Sequence, residues 1–269
     1  MKPMMHMQEA IDHLLDARPV ALACDFDGTL SKIAPSAELA SMHPGCRNSL
    51  AQLSEELPLV AVLSGRQVDE VRALVGLPGL VYIGNHGLER WDKGERYVEP
   101  RVSQYAPVIH RILERARQEL MLPGIAFEEK GVTASIHYRL AQHPAAARKL
   151  IASLLRDLAA GTGVRVVEGR RVVELRPPLD LDKGTALLNL LRGYTVRGII
   201  YAGDDQTDLD AFRAIHDWGL QEDKRALAVG VISSEMPPGL MEEADLAVEG
   251  VEGMARFLAM LVEALSRRG

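Results

Sequence analysis

A chain of 269 residues, 47% hydrophobic and 25% charged, has ample material for a globular core, as one large domain or two smaller ones. A net charge of −6 with no basic block excludes an electrostatic case for nucleic-acid binding, and no apolar run approaches the roughly 18 residues of a membrane span. The two cysteines, Cys24 and Cys46, make no disulfide framework and point to a cytoplasmic setting.

Residues 1–19 are Met-rich, but Glu9, Asp12 and Asp16 interrupt the apolar core that a signal peptide needs, so the segment reads as a short amphipathic helix. Residues 20–24 form an uninterrupted apolar run, which predicts a parallel strand covered on both faces. Asp25, Asp27, Gly28 and Thr29 follow at once. Residues 47–57 carry Leu50, Leu53 and Leu57 at helical spacing and stop before Pro58. A second buried strand, 59–63, ends in Ser64-Gly65-Arg66; a helix follows over 67–75. A third strand, 80–83, ends in Gly84-Asn85-His86-Gly87. Far downstream, 198–202 is a strand ending in Gly203-Asp204-Asp205, and 226–229 is one more. Strands alternating with helices imply an α/β fold with a doubly wound parallel sheet and right-handed crossovers.

Between Gly87 and about residue 177 the pattern changes, over an interval too long for a crossover loop. Helices are expected over 105–120 and 145–160. Extended segments are expected over 125–129, 132–139, 164–168 and 171–176. The second of these alternates, with Thr133, Ser135, His137 and Arg139 on one face. The order αββαββ predicts an inserted α+β cap over 101–177. The core is then discontinuous, 1–100 and 178–269. Lys130, His137, Arg139, Arg170 and Glu174 would form a polar open face able to close over a ligand.

Asp25/Asp27, Ser64/Arg66, Asn85/His86 and Asp204/Asp205 all follow the carboxyl ends of expected strands, the edge where open α/β sheets bind ligands. A carboxylate fixed there is a competent nucleophile toward phosphorus, which assigns Asp25, with Asp27 as general acid and base. Repulsion between the acids is answered by a divalent metal. Mg²⁺ suits carboxylate oxygens, so Asp25, Asp27, Asp204 and Asp205 are candidate ligands, with Asp208 supporting them. Gly28 and Thr29 leave room for backbone N–H groups to face a phosphate. Ser64 offers a hydroxyl to a phosphoryl oxygen. Lys183 is poorly placed for the helix dipole at a helix start, so charge neutralisation of a phosphoryl group gives it a reason to be there.

The ordered set Asp25-Phe26-Asp27-Gly28-Thr29-Leu30, Ser64, Lys183 and Gly203-Asp204-Asp205-Gln206-Thr207-Asp208 resembles the four motifs of the haloacid dehalogenase superfamily of phosphotransferases, and the insert looks like that superfamily's larger cap. Within the superfamily, several blocks are similar to those of the trehalose-6-phosphate phosphatase family. They are Leu63-Ser64-Gly65-Arg66, Gly84-Asn85-His86-Gly87-Leu88-Glu89, Glu129-Lys130-Gly131, His137-Tyr138-Arg139, Gly169-Arg170-Arg171-Val172-Val173-Glu174 and the Gly203–Asp208 block. By that resemblance, Asp25, the Asp27 carbonyl and Asp204 hold Mg²⁺, while Ser64 and Lys183 bind the phosphoryl group. Lys130, Arg170 and Glu174 bind the distal glucose, with His86 and Glu89 nearby on the core side. Family members often carry lysine where Arg170 stands, and arginine presents a planar fork instead of a point charge. The resemblance leaves a functional link to a trehalose-6-phosphate synthase open. Rival readings are a phosphatase for sucrose 6-phosphate or a glucosylglycerol phosphate, a phosphomutase, a phospho-acceptor signalling domain, and a non-catalytic sugar-phosphate sensor.

Overall fold

Residues 6–34 and 37–268 are described by a computed structural model. Among them the elements run α1 (Met7–Leu15), β1 (Val20–Asp25), α2 (Pro44–Glu56), β2 (Leu59–Leu63), α3 (Val68–Val75), β3 (Val81–Gly84), β4 (Glu89–Asp92), β5 (Glu95–Val98), α4 (Ala106–Glu119), β6 (Ala126–Glu129), β7 (Ala134–His137) and α5 (Pro144–Ala159). They continue with β8 (Arg165–Gly169), β9 (Val172–Arg176), α6 (Lys183–Leu191), β10 (Gly198–Gly203), α7 (Gln206–Gly219), β11 (Arg225–Ile232), α8 (Leu240–Glu243), β12 (Leu246–Glu249) and α9 (Gly250–Ser266). The expected amphipathic N-terminal helix is α1; residues 1–5 lie outside the described residues. Among the described residues no helix is long and apolar enough to cross a membrane. The chain divides into two compact units, Met1–Arg96 with Leu181–Gly269, and Tyr97–Asp180.

The first unit is built on one eight-stranded sheet in the order β12-β11-β10-β1-β2-β3-β4-β5. From β12 to β3 every pairing is parallel, and β4 turns back antiparallel on β3. Every residue of β1, β2 and β10 is buried, the condition under which a strand must be apolar on both faces. Alternation still sorts the side chains. Leu22 and Cys24 pack with α1, α2, α3 and α9, whereas Ala21 and Ala23 pack with α6 and α7 through Leu187 and Phe212. The chain winds from β1 toward β2 and β3, then resumes with β10 on the opposite side of β1. That reversal between β1 and β10 is where a crevice opens at the carboxyl edge of such sheets.

Two features of this sheet lie beyond the periodicity reading. The hairpin β4–β5 is largely polar, and β12 is only four residues long.

The second unit has an antiparallel sheet in the order β6-β7-β9-β8, with α4 and α5 packed on one face through Ile112, Leu113, Ile151 and Leu155. Its order α4-β6-β7-α5-β8-β9 is the αββαββ pattern expected from the sequence. Register places Phe127, Ile136 and Val173 in one row, toward that core, and Glu128, Ser135 and Glu174 in the next row, on the other face.

Candidate active site

The site grows from the ends of β1 and β10. Asp25 is the last residue of β1, and Asp204 follows β10 directly; both are buried. Lys183 opens α6, which is anchored by a capping box. Asp182 accepts from the Thr185 N–H at 2.7 Å, and Thr185 Oγ1 accepts from the Asp182 N–H at 2.9 Å. From that fixed start the Lys183 ammonium, itself buried, donates to Asp25 Oδ1 at 2.6 Å and to Asp208 Oδ1 at 2.7 Å.

Asp208 is the scaffold of the cluster. Its Oδ1 also accepts from the Tyr201 hydroxyl at 2.7 Å. Its Oδ2 accepts from the N–H groups of Asp204 and Asp205, each at 2.9 Å. Four donors therefore converge on one carboxylate, which fixes both the lysine and the loop carrying Asp204. Gly28 completes the close packing. Its φ is +100°, and a Cβ there would lie 2.2 Å from Asp204 Oδ2, so only glycine fits.

Electrostatics follow from burial. Burial raises the Asp25 carboxyl well above the usual carboxylate range; Lys183 opposes the shift, while Asp208 and Asp204 reinforce it. Burial works against the Lys183 charge, but Asp208 and Asp25 outweigh it and hold the ammonium protonated. Burial, with Asp208 next, pushes the Tyr201 phenol well up and keeps it a neutral donor. Asp25, Asp204 and Asp208 have oxygens within 4.8 Å of one another. Three carboxylates against one ammonium leave a net −2 when all are ionised, and a divalent cation brings the cluster to neutrality. Asp25 Oδ2 is buried without a hydrogen-bond partner, which fits a ligand of that kind.

The other expected site residues take varied places. Ser64 is buried at the end of β2; its Oγ accepts from the Arg66 N–H at 3.1 Å, and its own O–H can still donate. Asp27 does not join the aspartate cluster. Its carboxylate is held by Arg66, through Nε and Nη2. Asp205 caps α7, accepting from the Gln206 N–H at 2.7 Å, and is not among the three clustered acids. The turn after Asp27 differs from the expectation of N–H groups facing a phosphate: the Gly28 N–H is committed to the Ser31 carbonyl at 2.7 Å. Asn85 and His86 both have positive φ, 47° and 57°. Their N–H groups donate to the Arg66 and Ser64 carbonyls at 2.7 and 3.1 Å, which ties the two loops together. The His86 ring lies where a Cβ on Gly65 would stand 2.6 Å from it. Glu89 turns inward, accepting from the Val68 N–H at 2.9 Å and from Arg96 at 3.2 Å, so it caps α3.

In the second unit Lys130 is buried, with its Nζ 3.4 Å from Glu128 and 3.5 Å from Glu174. Glu174 also accepts from Ser135 at 3.1 Å and from Arg176 Nε at 2.9 Å. His137 Nε2 lies 2.7 Å from Glu128. Arg139 follows β7, and Arg170 lies in the turn between β8 and β9; both are half-buried. Glu128, Tyr201 and Glu70 were missed by sequence reasoning. Glu128 alternates with Lys130, and Glu70 stands four residues from Arg66, so spacing carried a signal for both. Tyr201 was hidden in an apolar strand.

Burial pushes the Glu128 carboxyl up, but the His137 hydrogen bond and the Lys130 charge outweigh it and hold it below the usual 4.5. A depressed carboxyl stabilises the fold above its ordinary range and loses that contribution as pH falls through the folded value. Thermal melts from about pH 7 to pH 3 should therefore show less acid destabilisation of Glu128→Gln than of the parent. Identical pH slopes would overturn the assignment.

The fold is an α/β core with an inserted α+β unit. A family model described as trehalose-phosphatase matches residues 23–235, and the chain belongs to that family. The trehalose-phosphate phosphatase of Mycobacterium tuberculosis (strain H37Rv) is 37% identical over 213 residues, which is 77% of this chain and 54% of that protein. The chain thus spans about half the length of the curated relatives it matches. The crystal structure of a trehalose-6-phosphate phosphatase related protein superposes with a TM-score of 0.76 at 24% identity, covering 93% of this chain and 100% of that one. The C-terminal domain of the Candida albicans trehalose-6-phosphate phosphatase gives 0.82 at 19%, covering 97% and 99%. Both structural likenesses speak to the fold.

Proposed function

We propose that the chain is a phosphoric monoester hydrolase that cleaves trehalose 6-phosphate to trehalose and phosphate through an aspartyl-phosphate on Asp25. The observation that carries the reading is the buried cluster in which Lys183 joins Asp25 to Asp208 beside Asp204. Family membership supports the substrate class.

An Asp25 carboxylate oxygen forms the bond to phosphorus as the bond from phosphorus to the sugar oxygen breaks. The leaving oxygen takes its proton from Asp27. Asp27 then accepts a proton from the water that attacks the phosphorus, which releases phosphate and restores Asp25. The Lys183 ammonium and the Ser64 hydroxyl meet the charge spread over the transferring group. Asp25, Asp204 and the Asp27 carbonyl would hold a divalent cation, which we take to be Mg²⁺; when bound, it neutralises phosphoryl charge.

In this reading the second unit is the cap. Lys130, His137, Arg139, Arg170 and Glu174 of its polar face are assigned to sugar recognition, and Asn85 and His86 of the first unit are assigned to substrate binding. A site of buried polar groups rejects a ligand that leaves them unpaired, which a phosphate group alone cannot do. The setting is cytoplasmic, and a trehalose-6-phosphate synthase is the activity that supplies the substrate.

The test is phosphate release from trehalose 6-phosphate, sucrose 6-phosphate, glucose 6-phosphate and p-nitrophenyl phosphate, with Mg²⁺ and with EDTA. Metal-dependent turnover of trehalose 6-phosphate well above the others is expected. Preference for another sugar phosphate would keep the Asp25 chemistry and overturn the sugar assignment. No release from any would overturn both.

A further inference from the structure

We propose that Glu70 and Arg66 form a positioning relay that sets the orientation of the Asp27 carboxyl group. The proposal rests on the reading of Asp27 as the acid and base of transfer at Asp25. Asp27 has a short side chain, 34% exposed, on a turn. Left alone, its carboxyl group would sample several rotamers. Arg66 prevents this with a two-point grip: Nε lies 2.7 Å from Asp27 Oδ2 and Nη2 lies 2.9 Å from Asp27 Oδ1. A planar fork on a planar carboxylate fixes both position and plane.

The fork is itself held on several sides. Its Nη1 pairs with Glu70, in the first turn of α3 and four residues along the chain. Its carbon lies 5.9 Å from the centroid of the Phe26 ring. Its backbone N–H donates to Ser64 Oγ at 3.1 Å, and its carbonyl accepts from the Asn85 N–H at 2.7 Å. Arg66 as a whole is only 8% exposed. Burial works against its charge, but Asp27 and Glu70 outweigh that and keep it cationic. Glu70 therefore aims Arg66, and Arg66 aims Asp27. A carboxylate has about four lone-pair sites, and the fork takes two, so a proton can still be carried on a remaining one. Arg66 is thereby assigned a task on the protein's own acid.

The relay predicts a dependence on the leaving group. A sugar alkoxide leaves poorly and needs its proton at once, whereas p-nitrophenolate leaves without one. The measurement is kcat/KM with Mg²⁺ for trehalose 6-phosphate (or the best sugar phosphate of the panel above) and for p-nitrophenyl phosphate. Asp27→Asn sets the full scale, about 100-fold or more greater loss on the sugar ester than on the aryl ester. Glu70→Gln and Arg66→Lys should reproduce it in reduced form, losing about 5- to 30-fold on the sugar ester and at least about five-fold less on the aryl ester. The loss should fall on kcat more than on KM. Glu70 is partly exposed on a helix, so Glu70→Gln should fold as the parent does, and a thermal melt verifies this. Equal losses on both esters, or no loss, in a folded Glu70→Gln would overturn the relay while Asp27→Asn keeps its own dependence. Absence of leaving-group dependence in Asp27→Asn would overturn the acid/base reading, and the relay with it.

Discussion

Asp25→Asn is expected to lower phosphate release by about 10⁴-fold or more on sugar and aryl esters alike, because no other group replaces a covalent nucleophile. The leaving group should not matter here, in contrast to Asp27, since in the proposed mechanism every substrate passes through the Asp25 carboxylate. The fold should not suffer. The asparagine is isosteric, and its oxygen can still accept from Lys183, the partner of Asp25 at 2.6 Å. Burial raises the Asp25 carboxyl well above its usual value. The native state thus holds that proton more tightly than the unfolded chain, so ionised Asp25 costs stability at neutral pH. A neutral asparagine escapes that cost. In EDTA the variant should melt at or above the parent temperature, and added Mg²⁺ should raise its melting point less than the parent's. Phosphate assays with both esters and melts with and without the ion check these expectations. Retained turnover would remove Asp25 from the role of nucleophile. A large loss of stability in EDTA would mean that its charge is held more favourably than burial implies.

How much of this was legible before the structure depended on what each residue's partner was. The buried strands β1, β2 and β10 are continuous apolar runs because both faces are covered, and the polar residues just past them are conspicuous for that reason. The placement of polar residues at strand ends therefore reads well from sequence. The antiparallel sheet of the second unit reads well too, since Ser135 and His137 alternate with Ala134 and Ile136. What escaped was pairing across the fold. Asp25 and Lys183 stand 158 residues apart, and a shared role for them can be expected but not measured. Glu89 sits in a block expected near the sugar, yet its carboxylate turns to the amino end of α3. Nothing in the local sequence distinguishes those two uses of a glutamate. The β4–β5 hairpin escaped for a different reason. With Glu89, Arg90 and Asp92 in one strand and Glu95 and Arg96 in the other, an edge ribbon lacks the apolar period that marks a buried strand.

Lys183→Met is the second change with a large expected effect, and it separates stability from catalysis. Removing the ammonium takes away the cation paired with the buried Asp25 and Asp208 carboxylates, beside buried Asp204, which should destabilise the protein by about 3–5 kcal/mol. It should also cost about 10²–10³-fold in turnover, since the phosphoryl charge loses its clamp. Both losses are compatible with a merely misfolded variant, so the second site matters. Adding Asp208→Asn removes one of the stranded charges and returns the cluster to the net charge that it carried with lysine. The asparagine oxygen can keep the Asp204 and Asp205 N–H groups. Its amide can donate to the Tyr201 oxygen, which rotates its proton away. The double variant should therefore melt higher than Lys183→Met alone, a coupling between residues in direct contact. Its turnover should stay lost, because charge balance is restored without a cation facing the phosphoryl group. Recovery of both properties would make Lys183 a purely structural counter-ion. Recovery of neither would place the damage in the packing of α6 instead of in the charges. Stability that returns without activity is the outcome that a lysine serving both the fold and the phosphoryl group requires.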